Sequence, residues 1–510
     1  MNWKKWVKNI GIGLLILTIG GAVFLYFGMN SSMRQFYGAN TPVVDHTQFE
    51  LSTGRVAIQN VNILSPDAEQ FIAGQTVIIE NGKIQSIDSS SNISTQTKII
   101  DGSEKYLIPG LVDSHVHLFY SPNDLLLYIA NGVTTIREMM GNKERLGWKK
   151  EIENGRIGPK MWVASPPLGT ADNMEKRMIS WTRQAKNVNT ASQAEKAIED
   201  FIDKGYDGVK IYSHLNKESY LAATKKANDL DFPIVGHIPW ETELEDVWDN
   251  GQSEVAHFEE LMNALRRKFD ESKEEDDDLL EYIIQESEQL AEQLIQRDIA
   301  VTSTLSLVDG VYNQKFDLEK VLKGVELNYA NVGLVEGVKF GDSGFGWLPG
   351  TNLYRLPSGL TEEQIEGQKQ FWSTYVNACK TLAVELTKRG VNILAGTDAN
   401  IPCTVPGFSL HDEFNSLTQF GMSNAQVLRS ATSAPSKWLG HNTGKITVGL
   451  DADLVLLDKD PLSNIANTRA INTVFSNGKV YDRQLLDQML EAVKGANDSV
   501  RKIDINQYSK

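Results

Sequence analysis

The sequence contains very little cysteine, and this scarcity limits what can hold the fold together. Only Cys379 and Cys403 occur among 510 residues, and two cysteines cannot build a disulfide framework for a chain of this size. Whether the two pair is left open, because pairing depends on a Cα separation that the sequence does not give. The fold must therefore depend on a buried apolar core, for which the chain is long enough.

Positive charge is also in deficit. The chain has 50 lysines and arginines against 66 aspartates and glutamates, and its net charge is −16. A nucleic-acid partner requires a basic surface, so the composition argues against one. No glycine-rich phosphate-binding motif follows any predicted strand, which disfavours an open, doubly wound nucleotide-binding sheet.

The N-terminus differs from the rest of the chain by its lack of charge. No charged residue occurs over residues 10–29, a run of 20 residues, which is about the length that a helix needs to cross a bilayer. Three lysines precede the run, and the positive-inside rule then places the N-terminus in the cytoplasm. We therefore predict a cytoplasmic stretch over 1–8 and a transmembrane signal anchor over 9–29.

This anchor predicts a single-pass protein of the cell membrane whose remaining chain is extracytoplasmic. A cleaved signal peptide, followed by secretion, is the alternative. No A-x-A cleavage site and no lipobox cysteine follow the apolar run, so we favour the uncleaved anchor.

Short β-rich runs occur at both ends of the remaining chain, around a long α/β middle. The runs "IENGKIQSI" and "INTVFSNGKVYD" each contain an Asn-Gly pair, which is typical of a tight hairpin. We predict a linker over 30–51, a small discontinuous β-sandwich from 52–106 and 440–485, an α/β domain over 107–439, and a C-terminal helical tail over 486–510.

The middle of the chain alternates short apolar strand candidates with helical stretches. Eight such strands fit a closed (β/α)₈ TIM barrel, so the predicted fold class is α/β with a transmembrane helix and a β-sandwich added. The predicted strands are "GLVDSHVHL", "GVTTIREM", "KMWVASPPL", "YDGVKIYS", "FPIVGHIPW", "SEVAHFEE", "AVTSTLSL" and "NILAGTDAN". A long segment, 308–360, follows the seventh strand, and we expect it to cover the C-terminal face of the barrel.

Imidazoles and a carboxylate occupy the ends of several of these strands. In a barrel the C-terminal ends of all strands meet at one rim, so such residues converge. Imidazole nitrogen and carboxylate oxygen are common ligands of divalent metals. Taken singly, each residue also has a structural explanation, such as a hydrogen-bonded histidine or an aspartate that caps a helix. The residues are His115, His117, His237, His257 and Asp398.

Lys210 lies in the fourth predicted strand, where a charged amine is costly to bury. It could extend its amine outward to solvent. An uncharged amine could instead add CO₂ and become a carbamate, which is an anion able to bridge two metal ions. A hydroxide held between two ions about 3.5–4 Å apart is a strong nucleophile at neutral pH.

In order and context, these residues resemble the amidohydrolase superfamily. The resemblance rests on "PGLVDSHVH", on Lys210, His237 and His257 in successive strands, on "AGTD", and on the closing "ADLVLLD". The segment "GFSLHDEFNSLTQFGMSNAQVLRSATSAPSKWLG" is similar to the prolidase-like and imidazolonepropionase-related branch. The resemblance covers about residues 52–485.

What the resemblance implies is a binuclear metal site, with zinc as the expected metal. One ion would be held by His115, His117 and Asp398, the other by His237 and His257, and carboxylated Lys210 would bridge the two. The implied reaction is hydrolysis of a C–N bond, in a dipeptide or an N-acyl amino acid, by a hydroxide that bridges the two ions. Asp398 would transfer the proton to the leaving nitrogen.

Several assignments remain open at this point. Tyr212 follows Lys210 by two residues, so it either steadies the carbonyl or oxyanion or packs at the rim. Arg145, Arg183 and Arg355 lie in loops that could bring a cation to a substrate carboxylate. The same site could serve a cyclic amide, lactone or phosphotriester hydrolase, and a non-catalytic cell-surface binding protein is the alternative of another class.

Three further polar residues are predicted to be structural or peripheral. Arg137 would form a buried ion pair with Glu138 or with a partner elsewhere. His214 would lie in the loop after the fourth strand, and His411 would support the site or the fold rather than bind a metal. The sequence does not determine the oligomeric state, and a homo-oligomer is compatible with it.

Overall fold

The computed structural model describes residues 30–50, 52–89, 97–272, 278–340 and 343–508. Its strands are β1 (Val56–Leu64), β2 (Phe71–Glu80), β3 (Lys83–Asp88), β4 (Lys98–Asp101), β5 (Tyr106–Pro109), β6 (Leu111–Val116), β7 (Val133–Glu138), β8 (Lys160–Val163), β9 (Leu168–Gly169), β10 (Lys186–Asn187), β11 (Val209–Ile211), β12 (Ile234–Gly236), β13 (Glu254–Ala256), β14 (Ala300–Thr302), β15 (Val338–Phe340), β16 (Ser343–Phe345), β17 (Ile393–Leu394), β18 (Leu454–Leu457), β19 (Ile471–Ser476) and β20 (Lys479–Asp482).

Helices separate most of these strands. They are α1 (30–36), α2 (Asp124–Ala130), α3 (Lys143–Glu153), α4 (Met174–Thr182), α5 (Ala191–Lys204), α6 (Lys217–Asp229), α7 (Leu244–Asp249), α8 (Phe258–Ser272), α9 (Leu279–Gln296), α10 (Leu305–Leu322), α11 (Val332–Glu336), α12 (Glu362–Lys388), α13 (Phe408–Gln419), α14 (Asn424–Ser430), α15 (Ser433–Trp438) and α16 (Arg483–Asp498). Two short 3₁₀ helices cover His46–Gln48 and Ile465–Arg469.

Eight parallel strands follow one another around a ring, and each lies within one of the eight segments predicted as strands. Parallel ladders join β6 to β7, β7 to β8, β11 to β12, β13 to β14, and β14 to β17. Three further contacts close the ring: Ala164 pairs with Gly208, the Ser253 amide donates to the Ile234 carbonyl, and Val116 pairs with Ala399. The C-terminal ends of all eight strands therefore face one mouth.

The ring strands are buried on both faces, which explains their apolar sequences. Every residue of β6, β7, β11, β12, β13 and β14 is buried. Parallel strands covered by helices outside and by neighbouring strands inside expose neither face to water. A polar side chain within such a strand therefore lies in the interior of the ring or at its mouth.

Both ends of the chain contribute to a second sheet, but this sheet differs from the predicted sandwich. A single hydrogen-bonded sheet of eight strands runs β20-β19-β18-β5-β1-β2-β3, with β4 also paired to β1. The long strand β1 pairs with β4 through Val56–Gln59 and with β5 through Asn62 and Ile63, so all strands join one sheet. The predicted β-sandwich is therefore wrong as two separate sheets.

The predicted hairpins are present in this sheet. Asn81 and Gly82 connect β2 to β3 with φ angles of 53° and 73°, and Asn477 and Gly478 connect β19 to β20 with 51° and 73°. Two successive positive φ angles define the type I′ turn that matches the twist of a hairpin, and Asn-Gly adopts them at low cost.

The predicted fold class is wrong in its transmembrane helix. Over the described residues, no helix combines the length and the apolar character that crossing a membrane requires. Length alone is insufficient: α12 has 27 residues, but its charged and polar side chains would be exposed to lipid. The predicted span, residues 9–29, lies outside the described residues. The described chain is a mixed α/β fold, while its domain boundaries and its extracytoplasmic location stay predictions.

A small apolar cluster, here called the rim cluster, lies apart from the main core. It joins residues near the N-terminus, after β6, from the segment that follows β14, and near the C-terminus. Its buried members are Tyr37, Phe119, Met140, Leu322, Leu327, Ala330, Leu334, Val335, Trp347, Leu348, Val405 and Ile505. Neither cysteine forms a disulfide, so apolar packing holds these distant segments together.

Candidate metal centre

The six residues predicted as metal ligands are carried by five of the eight strands of the ring or by the residues that follow them. His115 is in β6 and His117 follows it, Lys210 is in β11, His237 follows β12, His257 follows β13, and Asp398 comes four residues after β17. Five of the six are buried, and His237 is half-buried. Strand ends that are far apart in sequence therefore bring these side chains to one mouth.

One group of three forms the tightest part of the cluster. The His117 Nε2 atom lies 2.8 Å from Asp398 Oδ1, and His115 Nε2 lies 3.6 Å from the same oxygen. Each of these residues can offer one ligand atom, with all three atoms within 4.8 Å of one another. Two imidazoles and a carboxylate at this separation can surround a single divalent ion.

The other two histidines continue the cluster. The ring centroids of His115 and His257 are 4.5 Å apart, and those of His257 and His237 are 5.1 Å apart. Lys210 lines the same cavity as His117, His237 and His257. The structure thus brings together all six residues that the sequence singled out.

His237 and His257 are each oriented by hydrogen bonds on one ring nitrogen. His237 Nδ1 lies 2.6 Å from Ser213 Oγ and 2.9 Å from Glu260 Oε1. His257 Nδ1 lies 2.8 Å from Thr304 Oγ1. Because Nδ1 is engaged, Nε2 is the nitrogen that each ring can offer to a metal ion.

These orienting groups were not predicted from the sequence. Ser213, Glu260 and Thr304 all lie within four residues of the end of a ring strand, so their position was a usable signal. Their partners, however, come from neighbouring strands, and only the folded ring reveals which histidine each one contacts.

Two of the predicted ligands are buried without hydrogen-bond partners. Both ring nitrogens of His115 and the Nζ atom of Lys210 have none among the described residues. Buried polar atoms nearly always have partners, so an unpartnered cluster of nitrogens is the arrangement expected of a ligand site. This donor set fits one or two divalent metal ions.

Burial also sets the protonation of this cluster. Burial, followed by the nearby Lys210 amine, holds the pKa of His115 well below its usual value. Burial lowers the pKa of Lys210 to about 8, although the carboxylates of Glu254 and Asp398 oppose the shift. His115 is therefore neutral, and a fraction of Lys210 is the uncharged amine near neutral pH.

Asp398 is held in a strained but well-supported conformation. Its φ angle is 55°, in the left-handed region that non-glycine residues seldom adopt. Its amide donates to the His115 carbonyl at 2.8 Å, and the preceding Thr397 donates through its hydroxyl to Asp113 at 2.7 Å. Burial alone would raise the pKa of Asp398, but the His117 and His257 imidazoles hold it below its usual value.

A cavity of about 220 Å³ opens directly on the cluster, and it distinguishes the three candidate arginines. Arg183 lines this cavity. Arg145 is fully buried, with its guanidinium 5.1 Å from the Tyr120 ring and 5.8 Å from the Trp148 ring. Arg355 lines a different cavity. Of the three, Arg183 alone faces the cluster.

The remaining predicted residues occupy distinct positions. Tyr212 lines the cavity, with its ring centroid 4.7 Å from that of His237. His214 lies in the loop after β11 and contacts Ser180 Oγ at 3.0 Å. His411 is a buried structural residue of α13, since its ring nitrogens contact Thr468 Oγ1 at 2.9 Å and the Asn131 carbonyl at 3.2 Å.

The segment predicted to cover the barrel contributes one residue to the cavity. Tyr354, which lies within 308–360, lines the cavity together with Glu259. Burial raises the pKa of Glu259 to about 7, and the Tyr375 hydroxyl donates to this carboxylate at 3.0 Å. Neither cavity residue was predicted from the sequence. Glu259 lies three residues after β13, so its position was a usable signal, whereas Tyr354 lies far from the end of any ring strand.

Part of the chain matches a known protein family. Residues 378–481 match the amidohydrolase family. The matched segment contains Asp398, the strands β17 to β19 and all of β20 except its last residue, Asp482. It confirms the prediction of an enzyme, a hydrolase that acts on carbon–nitrogen bonds. No curated protein matches the sequence.

Solved structures share the fold across most of the chain. A bottromycin amidohydrolase is 18% identical with a TM-score of 0.65, and covers 92% of this chain and 93% of its own. An Xaa-Pro dipeptidase with bound methionine in the active site is 16% identical with a TM-score of 0.60, covering 84% and 100%. A prolidase complexed with N-methylphosphonate-L-proline is 17% identical with a TM-score of 0.61, also covering 84% and 100%. At these identities the likeness shows a common fold.

Proposed function

We propose that the protein is a metal-dependent amidohydrolase that cleaves the amide bond of a dipeptide or an N-acyl amino acid. The proposal rests on one observation, the meeting of unpartnered buried nitrogens and a carboxylate beside a small cavity at the mouth of the strand ring. The family match over residues 378–481 and the prolidase and dipeptidase among the structures of the same fold support this reaction class.

The ligand set suggests two metal ions, for which zinc suits the four imidazoles. One would be held by His115, His117 and Asp398, the other by His237 and His257, with Lys210 as a carbamate between them. When bound, such ions polarise a carbonyl and lower the pKa of water. The other steps depend on side chains of the chain itself.

Asp398 is the proton carrier in this proposal. Its Oδ1 atom lies 2.8 Å from His117 Nε2 and 3.6 Å from His115 Nε2, and its lowered pKa keeps the carboxylate ionised at neutral pH. It can therefore accept a proton from the attacking water and deliver that proton to the leaving nitrogen. Tyr212 faces the same cavity, where its phenol can donate a hydrogen bond to the oxygen of the tetrahedral intermediate.

Arg183 is the proposed anchor of the substrate carboxylate. It lines the cavity, and its guanidinium has no ion pair or hydrogen bond with any described residue. The phenol of Tyr212 is the largest cause that raises the pKa of Arg183. Tyr37, Asp398 and Tyr354 add smaller contributions, and together these groups outweigh the lowering effect of burial. A guanidinium at a cavity wall without a protein carboxylate can bind an external one through two hydrogen bonds. This favours substrates with a free carboxylate.

A hydrolysis screen tests the reaction class. The metal-loaded protein is given dipeptides, N-acyl amino acids, lactones and phosphotriesters, before and after chelation. We expect hydrolysis of the first two classes, and its loss on chelation. Hydrolysis of lactones or phosphotriesters alone would overturn the substrate class, and no hydrolysis of any substrate by the metal-loaded protein would overturn the proposed reaction.

Lys210→Ala tests the carbamate. We expect this variant to lose activity and to recover part of it when a short carboxylate such as formate or propionate is added, because the added anion can replace the carbamate. His411→Asn is the control, since His411 is a buried histidine away from the cluster. Wild-type rates for Lys210→Ala would exclude the assigned role.

A further inference from the structure

The segment that precedes the eight-stranded sheet lies at the mouth of the ring. Tyr37, one residue after α1, is only 6% exposed. Its ring stacks on Phe119 with centroids 4.2 Å apart and planes at 21°, and Phe119 stacks on His117 at 5.9 Å and 30°. The N-terminal segment therefore packs on Phe119, which in turn packs on the proposed metal ligand His117.

Tyr37 also joins three elements of the mouth by hydrogen bonds. Its hydroxyl donates to the Thr182 carbonyl at 2.8 Å, and Thr182 immediately precedes Arg183. Its own carbonyl accepts from the Tyr120 amide and from Asn331 Nδ2, each at 3.0 Å. A single residue thus connects the loop after β6, the end of α4 and the start of α11.

The segment around Tyr37 is packed too closely to be a loose linker. Gly38 has a φ angle of 105°, and a Cβ there would overlap Asn331 Nδ2. A Cβ at Gly333 would overlap the Phe36 carbonyl. Asn30 Oδ1 accepts from Trp181 Nε1 at 3.1 Å. The predicted linker over 30–51 is thus, in its first part, built into the wall of the mouth.

The contact with Thr182 has a specific consequence for Arg183. Thr182 is the last residue of α4, and Arg183 is its C-cap. The last carbonyls of a helix have no partner within the helix and need one from outside. The Tyr37 hydroxyl supplies that partner at Thr182, the residue that immediately precedes Arg183.

We propose that Tyr37 is a positioning residue that holds Arg183 in place to bind the substrate carboxylate. The inference rests on the proposed function, because it assigns the cause of selectivity at that same site. The N-terminal segment then controls how strongly the enzyme prefers a free carboxylate over an uncharged end. A small displacement of a substrate-positioning group is enough to reduce activity strongly.

Tyr37→Phe is the test, since it removes the hydroxyl and keeps the stack on Phe119. Kinetics are measured on one dipeptide and on its C-terminal carboxamide, with the wild type, Tyr37→Phe and a control, Tyr481→Phe. Tyr481 is buried in the sheet, in β20. We expect Tyr37→Phe to raise KM about 10-fold for the dipeptide, the effect of losing one hydrogen bond, with little change in kcat. KM for the carboxamide should stay unchanged.

The result that overturns the inference is an equal change for both substrates, or no change for either. A merely structural role would also lower the melting temperature and the metal content, which we expect to match those of the wild type.

Binding of an N-acyl amino acid, measured by calorimetry, separates this inference from the proposed reaction. If the wild type hydrolyses nothing but binds the acid more tightly than Tyr37→Phe does, the positioning role stands and the reaction falls. If the wild type hydrolyses dipeptides and Tyr37→Phe binds and discriminates as the wild type does, the positioning role falls.

Discussion

Two groups of buried ionisable residues lie within the strand ring, and their partners differ. In the interior, Arg137 Nη2 is 3.4 Å from Glu254 Oε2, and both side chains are fully buried. The Arg137 guanidinium lies 4.3 Å from the Trp438 ring and 5.3 Å from the Trp162 ring. Glu254 also accepts hydrogen bonds from the Gly236 amide and the Thr302 hydroxyl. The support comes through Glu254 and the two indole rings, since Nε and Nη1 of Arg137 have no hydrogen-bond partner among the described residues. The ion-pair partner of Arg137 is therefore Glu254. The predicted pairing with Glu138 is wrong, and the alternative prediction, a partner elsewhere, is confirmed.

The buried ionisable residues at the mouth have fewer partners than the interior pair. His115 and Lys210 are as deeply buried as Arg137 and Glu254, but their nitrogens have no hydrogen-bond partner among the described residues. A buried charge that is paired contributes to the fold, whereas an unpartnered buried ligand atom is costly until something binds it. Burial and missing partners do not by themselves separate the two groups, because the nitrogens of the buried Arg145 also lack partners among the described residues. The difference is that the interior cation faces the carboxylate of Glu254, whereas the unpartnered amine at the mouth lines a cavity.

The strongest test of the mouth is Asp398→Asn. The amide keeps the shape of the side chain but cannot accept and return a proton, so we expect kcat to fall by about 10²- to 10⁴-fold. Steady-state kinetics with the metal-loaded variant measure the effect. A variant that binds metal normally and retains the wild-type kcat would contradict the assigned proton transfer.

The interior pair is expected to affect stability instead. Arg137→Met leaves Glu254 buried and unpaired, and removing one partner of a buried pair costs about 3–5 kcal/mol in the free energy of unfolding. The double variant Arg137→Met/Glu254→Gln should lose less, because no uncompensated charge remains. Urea unfolding of the two variants measures the difference. Equal loss in both would show that the ion pair is not the source of the stability.

Loss of the hydrogen bonds that orient His237 and His257 is expected to have a smaller effect, on metal affinity. Ser213→Ala and Thr304→Val each remove a hydroxyl from the Nδ1 atom of a proposed ligand, and such losses reduce metal affinity about 10- to 100-fold. Competition with a chromophoric chelator measures the affinity. Ser436→Ala is a suitable control, because this buried hydroxyl contacts Thr443 instead of a histidine. Affinities that match the wild type would show that the rings need no such support.

His411 extends the comparison to a buried histidine with partners. Burial lowers its pKa to about 3, and Arg469 acts in the same direction, while an unfolded histidine titrates near 6.5. Between these values the unfolded chain binds more protons, so stability falls as the pH drops, by at most about 1.4 kcal/mol per pH unit. In urea unfolding from pH 7 to pH 4.5, His411→Asn should show a shallower dependence than the wild type. An unchanged slope would contradict the assignment.

The positions of the strands and of the proposed ligands could be predicted because they follow from local pattern. Short apolar runs bounded by polar residues indicate buried strands, and a histidine or aspartate at the end of such a run stands out. The strands are shorter than the predicted segments, for example Ile393–Leu394 within "NILAGTDAN". Local pattern does not show where hydrogen bonding between strands stops.

The hydrophobic pattern also led to an error. A charge-free run indicated a membrane-spanning helix, but the described part of the chain contains none. The two β-rich ends likewise indicated a sandwich, whereas β1 joins their strands into one sheet. Composition reports which segments avoid water and does not specify what they pack against.

The sequence alone determined which residue types stand at the strand ends, because the strand period and the apolar runs are written into the order of residues. Only the tertiary structure decided which arginine faces the cavity and which groups orient the histidines. The sequence predicted all three arginines, Arg145, Arg183 and Arg355, as equivalent loop residues. This prediction is wrong for Arg145, which lies in α3, and Arg183 is the C-cap of α4. The three differ because packing places one guanidinium among aromatic rings, one at a separate cavity and one at the mouth. Such choices depend on contacts between segments that are distant in the chain.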